Sequence, residues 1–252
     1  MFDRNTIDKL ATHDDIAAMG FSNSALSDEA IALLGFQRTK TISPRSRKAW
    51  MAGDRDPLLA EARSRRDEIF ESAIHEAYCE YVPVQRYLNK VGFEPRSVID
   101  IGCGQAVPDL FLQRDFKPRF TLVDIEETTE QYHAWADSGS GYASLVDAKA
   151  MLHDNGSAQN NVKTINPKQK PEMLTDASAD MLISFYSCGF HYPVDEYSDL
   201  ITRVIKGGGL VFLDLRKRYF NRRPEPLDKV LSLGEMTVVF DDKRSNRVVI
   251  AG

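Results

Sequence analysis

Ser97-Val98-Ile99-Asp100-Ile101-Gly102-Cys103-Gly104-Gln105-Ala106-Val107-Pro108 is the stretch that decides how this chain folds. Ser97–Ile101 is an apolar run broken only by Asp100, the pattern of a strand buried on both faces. It runs into two glycines, which suit a place where a ligand must approach the backbone and a side chain would block it. Pro108 then stands where a helix would begin, a favoured first-turn position. Twenty residues past Gly104, the apolar run Phe120–Val123 ends at Asp124. An acid at the carboxyl end of a second strand can accept hydrogen bonds from ribose hydroxyls.

The same texture continues outward. Asn161–Ile165, Met181–Phe185 and Leu210–Leu215 read as further buried strands. Helices are expected over Pro108–Arg114, Thr128–Trp135, Ala143–His153 and Asp195–Ile205. In the last of these Leu200, Ile201, Val204 and Ile205 share one side, and Gly207 is the stop. Strands alternating with helices imply βαβ units and a parallel sheet. Glu235–Phe240 and Arg247–Ala251, joined by the short polar stretch Asp241–Asn246, read as a hairpin. Residues 96–252 are therefore expected to form a Rossmann-like, doubly wound α/β domain. Its seven-stranded sheet is mostly parallel and ends in an antiparallel hairpin.

Residues 1–95 read as an N-terminal helical extension, a cap over that domain. Helical spacing marks Thr6–Met19, Ser27–Leu34 and Pro57–Gln85. Gln37–Trp50, polar, basic and containing Pro44, reads as a loop or arm able to close over the site. No period of 20–50 residues repeats, which argues against a solenoid or propeller.

Composition narrows the class. The chain has 252 residues, 42% apolar and 27% charged, with a net charge of −5. That length buries a full core without a metal or disulfide staple. The acidic balance disfavours a wholesale nucleic-acid binder. The longest apolar runs are far short of a membrane span, and Met1–Leu10 lacks the apolar region of a signal peptide. Cys79, Cys103 and Cys188 are scattered and form no metal-ligand spacing. A cytoplasmic protein with reduced thiols and no bound metal is expected.

The glycine turn is not a dinucleotide fingerprint, because the third glycine of G-x-G-x-x-G would be position 107, which is Val107. A G-x-x-x-x-G-K-[ST] phosphate loop is also absent. The spacing D-x-G-x-G-x-A, with Asp100, Gly102, Gly104 and Ala106, resembles the first motif of class I S-adenosylmethionine-dependent methyltransferases, Ala106 standing for the third glycine. Asp124 in Leu-Val-Asp-Ile-Glu, Asp180 opening the fourth strand, and the turn Lys206-Gly207-Gly208-Gly209 before the fifth match the family in order. The resemblance covers about residues 96–252 and implies S-adenosylmethionine as cofactor. It implies cofactor contacts from Asp100, Gly102, Gly104 and Gln105 in the turn. Asp124, holding the ribose, Ile125 and Ser184 would complete them.

The acceptor segment of that family follows the fourth strand, here Ser184-Phe185-Tyr186-Ser187-Cys188-Gly189-Phe190-His191-Tyr192-Pro193. It lacks the [NDS]-P-P-[YF] of enzymes that methylate nucleobase or amide nitrogens, and the Asp of metal-assisted catechol-type enzymes. A hydroxyl or carboxyl acceptor remains. An alcohol needs a general base, and His191 is the candidate; a structural histidine is the competing reading. Tyr186 and Tyr192 are candidate rim contacts. The segment also resembles the matching stretch of bacterial sugar O-methyltransferases, which points to a sugar, glycoconjugate or other small metabolite.

Between residues 38 and 66 nine basic residues face three acidic ones, and Arg216, Lys217, Arg218, Arg222 and Arg223 follow the fifth strand. Arg216 is the candidate contact for an anionic acceptor, by its bidentate fork. Ion pairing on a solvated face is the alternative, favoured for Arg63–Arg66. Two rival functions stay open, an RNA methyltransferase using the basic arm and a non-catalytic cofactor-binding scaffold. The oligomeric state is not legible.

Overall fold

The computed structural model describes residues 2–3, 13–126 and 143–252. The strands in chain order are β1 (Phe2–Asp3), β2 (Ser97–Ile101), β3 (Arg119–Val123) and β4 (Val162–Ile165). They continue with β5 (Met181–Ser184), β6 (Leu210–Arg216), β7 (Glu235–Asp241) and β8 (Ser245–Ala251). They form one sheet ordered β1-β7-β8-β6-β5-β2-β3-β4. Strands β2 to β6 are parallel, and β8 runs antiparallel to both β6 and β7. The seven expected strands all form. A two-residue eighth, β1, adds parallel to β7 and is too short to leave a periodic signal. Central β2 has β3 and β4 on one side and β5 and β6 on the other, the strand order and final hairpin implied for a Rossmann-like methyltransferase fold. In such sheets ligands lie outside the carboxyl ends of the strands where the order reverses.

Alternate residues of each strand feed two cores. Val98, Phe120, Ile183 and Phe212 pack on one face, Ile99, Val123, Leu182 and Val211 on the other. The second face is covered by helix Ser198–Lys206, with Leu200, Ile201, Val204 and Ile205 inward, and by helix Glu225–Leu231. The first is covered by helices Val107–Phe116 and Leu145–Asp154 together with the N-terminal helices. Ile31, Leu34, Leu58 and Ile74 belong to the same apolar cluster as Val98 and Phe212. The segment before residue 95 is thus a layer sharing the core of the sheet.

Two expectations in the N-terminal layer are corrected. Residues 37–50 do not form an open arm, because Pro44–Met51 is a helix. Ser43 caps it by accepting from the Ser46 amide, Pro44 occupies the first turn, and Trp50 is buried. Arg47 donates to the carbonyls of Phe36 (2.8 Å) and Thr39 (2.7 Å), so its charge holds the layer together. The single helix expected over Pro57–Gln85 is two, Asp56–Ser64 and Arg66–Val91, broken at Arg65 (φ −130°). Ion pairs from Arg65 to Glu61 and Glu68 hold the break. The second helix runs through Pro83 and ends at Gly92. Helix His13–Ala17 is the described part of the one expected over Thr6–Met19. The helix expected over Thr128–Trp135 lies outside the described residues.

One buried cross-strand pair joins the layers. Arg247 on β8 faces Asp214 on β6 with Nε–Oδ1 at 2.8 Å and Nη2–Oδ2 at 2.6 Å, at 0% and 1% side-chain exposure. Arg247 Nη1 donates to the Glu80 carbonyl of helix Arg66–Val91, and its guanidinium lies 3.8 Å from the Phe185 ring centroid. Such a pair needs every polar atom satisfied to offset desolvation.

Candidate cofactor and acceptor site

The turn after β2 is built from left-handed residues. Gly102 (φ +73°) donates its amide to the Val123 carbonyl at 2.7 Å, which pins the turn on β3. A Cβ at Gly102 would lie 1.8 Å from Ser187 Oγ, so the turn and the segment after β5 pack too closely for a side chain. Ala106, where the family carries its third glycine, also has positive φ (+56°) and is fully buried. That conformation costs an L-residue roughly 1 kcal/mol.

Asp124 closes the turn from β3. Its Oδ2 accepts the Gly104 amide at 2.7 Å and its Oδ1 the Ile125 amide at 2.8 Å. Each oxygen keeps a second lone pair, and the half-buried carboxylate lines a cavity of about 630 Å³. Burial pushes its pKa up to about 6, against the two amides that lower it.

The cavity runs from Gly102, Gly104, Asp124 and Ile125 to Tyr186, His191 and Tyr192. The sequence-predicted residues on either side of the proposed reaction centre therefore share one space. Tyr192 Oη lies 3.0 Å from Ser187 Oγ, above Gly102. His191 is half-buried, its amide donates to Ser187 O at 2.8 Å, and its ring meets the edge of Phe190 at 5.0 Å between centroids. Tyr186 has φ +53°, an uncommon conformation for a bulky residue. Burial and the nearby carboxylates of Glu80 and Asp214 push its hydroxyl pKa up. Its ring meets Phe190 edge-on at 5.2 Å.

Four predicted contacts are not on the cavity wall. Ser184 is fully buried; its Oγ donates to Ile101 O (2.8 Å) and accepts from the Cys188 amide (2.9 Å), joining β5 to the end of β2. Gln105 is buried, and its Nε2 donates to the Ala30 carbonyl of helix Asp28–Arg38 at 3.2 Å. Asp100 sits beneath the turn beside Asp109, a residue of helix Val107–Phe116. Burial, then the Asp109 charge and hydrogen bond, push Asp100 well above the carboxylate range; burial pushes Asp109 up to about 7. Arg216 places its guanidinium over the Phe190 ring at 5.3 Å, outside the cavity.

Residues that motif reading missed complete the wall. Phe36, Gln37 and Arg38 come from the end of helix Asp28–Arg38, Glu76 and Glu80 from helix Arg66–Val91. Asp242 and Arg244 come from the β7–β8 turn. Arg38 Nη1 pairs with Glu80 Oε2 at 2.6 Å. No local pattern marks these residues; only packing of the N-terminal layer brings them in. Other basic residues pair within the fold: Arg63 and Arg66 with Asp28, and Lys217 with Asp241. Among the described residues no cluster of three or more His, Cys, Asp or Glu could hold a metal, and no helix is long and apolar enough to cross a membrane. Cys103 and Cys188 are buried, which pushes both thiols up.

No family model matches the chain, and no curated protein does. Among solved structures, a Methanococcus maripaludis protein assigned as an S-adenosyl-L-methionine-dependent methyltransferase is 15% identical over 76% of this chain and 92% of that one, at a TM-score of 0.43. The S-adenosylmethionine-dependent methyltransferase SibL is 15% identical over 73% of this chain and 58% of its own, at 0.43. The bifunctional kinase-methyltransferase WbdD is 13% identical over 69% and 38%, at 0.45. All three likenesses are remote, and the fold assignment stands on this chain's own strand order and connections.

Proposed function

We propose that the protein is an S-adenosylmethionine-dependent methyltransferase that methylates a hydroxyl of a sugar, glycoconjugate or other small metabolite. What carries this reading is the continuity of the cavity. It joins a glycine turn, a ribose-accepting carboxylate and an aromatic segment with one histidine over the carboxyl ends of β2, β3 and β5. The residues present fit the cofactor. The glycine turn gives close backbone approach, and the spare lone pairs of Asp124 suit two ribose hydroxyls. The cofactor, when bound, supplies a methyl group on a positively charged sulfur.

The chain's own residues then do two things. Tyr186, Phe190 and Tyr192 hold the acceptor against the turn, aromatic faces suiting the apolar side of a sugar ring. His191 would take the proton of an acceptor hydroxyl as that oxygen receives the methyl group the cofactor would supply. Much of the acceleration comes from holding acceptor and methyl group in line.

An anionic acceptor loses support as first framed, because Arg216 lies on Phe190 outside the wall. Groups of both signs line the cavity beside Phe190, Asp242 and Arg244 from the β7–β8 turn. Alternating donors and acceptors of this kind suit a polyhydroxylated ligand.

Calorimetric titration with S-adenosylmethionine and S-adenosylhomocysteine, with NAD as control, tests the cofactor. Micromolar binding of the first two and none of NAD is expected; the reverse pattern overturns the reading. Methyl transfer to a panel of sugars and nucleotide-sugars tests the acceptor class. His191→Ala should lower that transfer about 10²–10⁴-fold with cofactor affinity unchanged. A change within threefold makes His191 structural.

A further inference from the structure

We infer that Arg38, carried by the N-terminal helical layer, holds the carboxylate at the amino-acid end of the cofactor, so that this layer forms part of the cofactor site. The inference rests on the cofactor reading above and goes beyond it, since the motif residues account only for the ribose and the turn.

The argument is one of position and charge. Asp124 fixes the ribose at the end of β3, and the acceptor segment Tyr186–His191 follows β5. A cofactor held so, with its sulfur toward that segment, would lay its amino-acid tail over β2, which lies between those two strands in the sheet. That tail is a zwitterion whose carboxylate needs a cation. Among the described residues three cationic side chains line the cavity, Arg38, Lys168 and Arg244. Lys168 follows β4, on the far side of Asp124 from the acceptor segment. Arg244 belongs to the β7–β8 turn, beyond β6.

Of the three, Arg38 comes from the helix tied to the turn after β2. It lines the cavity with Gly102 and Gly104, and its charge reaches the Asp100 carboxyl beneath the turn, which it draws downward against burial. Its side chain is 19% exposed, so it is neither sealed off nor free in solvent. One of its five N–H donors is committed to Glu80 at 2.6 Å, which orients the planar fork and leaves donors for a second carboxylate. Glu80 and Glu76 offer the opposite charge to the ammonium of the same tail. The helix that carries Arg38 is tied to the turn near its start, by the bond from Gln105 to the Ala30 carbonyl.

The test compares S-adenosylhomocysteine with methylthioadenosine, which keeps the adenosine and sulfur but lacks the amino-acid end. Both are titrated calorimetrically into the wild type, Arg38→Met and Arg38→Lys, each as the full chain. Arg38→Met should weaken S-adenosylhomocysteine about tenfold to hundredfold, as expected when hydrogen bonds to a charged group are lost. Methylthioadenosine affinity should stay within twofold, which also reports that the variant is folded. Arg38→Lys, which keeps a positive charge beside Glu80, should show a smaller loss for S-adenosylhomocysteine alone. Equal weakening of both ligands, or no weakening of either, overturns the inference while leaving the cofactor reading intact. A wild type that binds neither compound overturns the cofactor reading, and this inference with it.

Discussion

Replacing Arg247 by Met should unfold the protein far more readily than any surface change, and the cause is what remains behind. Met fills much of the volume, so the apolar contact with Phe185 partly survives. Asp214, 1% exposed, loses both of its guanidinium hydrogen bonds, and the Glu80 carbonyl loses the one it accepts from Arg247. Breaking a buried pair from one side costs about 3–5 kcal/mol. A domain typically has about 5–15 kcal/mol in total, so the variant keeps a fold with little reserve. Urea denaturation of wild type, Arg247→Met and Arg247→Met/Asp214→Leu measures this. The double variant should recover most of the loss, since it leaves no buried charge without a partner. A single variant losing less than about 1 kcal/mol, or a double variant as damaged as the single, would refute the argument from an uncompensated buried charge.

Gly102→Ala puts a Cβ 1.8 Å from Ser187 Oγ at φ +73°, and should lose about 2–4 kcal/mol by thermal or urea unfolding. Ser187→Gly in the same chain should restore part of it, and a tolerated Gly102→Ala would mean that the turn and the Ser187 segment are not in contact. Asp124, pushed up to about 6, should make cofactor affinity fall as pH drops through 6, and Asp124→Asn should abolish that dependence in calorimetry at pH 5 and 7.5. Without ligand, Asp109 (about 7) and Asp124 (about 6) have folded pKa values above the ordinary 3.8. Their contribution to stability is therefore fully present below pH 4 and lost as pH rises to 7. Ligand-free unfolding at pH 5 and pH 8, with Asp109→Asn abolishing part of the difference, checks the sign.

The parallel sheet was legible because its strands are buried on both faces and read as short apolar runs, residues 181–183 and 210–213 above all. The turn was legible because ligand approach demands glycine at fixed spacing. The N-terminal layer was harder. Pro44 acts as a breaker in the middle of a helix and as a starter at its first turn, and only the capping of Ser43 onto Ser46 distinguishes the two. The break at Arg65 carries neither glycine nor proline; ion pairs to Glu61 and Glu68 hold it, and these depend on the fold. Of the site, the residues legible in sequence are those within one strand–turn unit, such as Gly102 and Asp124. Arg38, Glu80 and Arg244 reach the cavity from elements up to two hundred positions apart, and no spacing encodes that. Ser184 and Gln105 were placed on the right segments, but a one-residue turn of the backbone decides whether a side chain faces a ligand or the interior.

The position of β8 between β6 and β7 bears on how a ribosome delivers this chain. Strands β2 to β6 can assemble as they emerge, in order, but β6 then presents a bare row of amides and carbonyls. The strand that covers it is synthesised only after β7 and its turn, some thirty positions later. At about 5–20 residues per second that exposure lasts seconds, long enough for a neighbouring nascent chain or a chaperone to meet an open edge. Strain on the newborn protein should therefore concentrate there. Silent codon changes that slow translation between residues 217 and 245 should lower soluble yield, while equal slowing upstream of β2 should not.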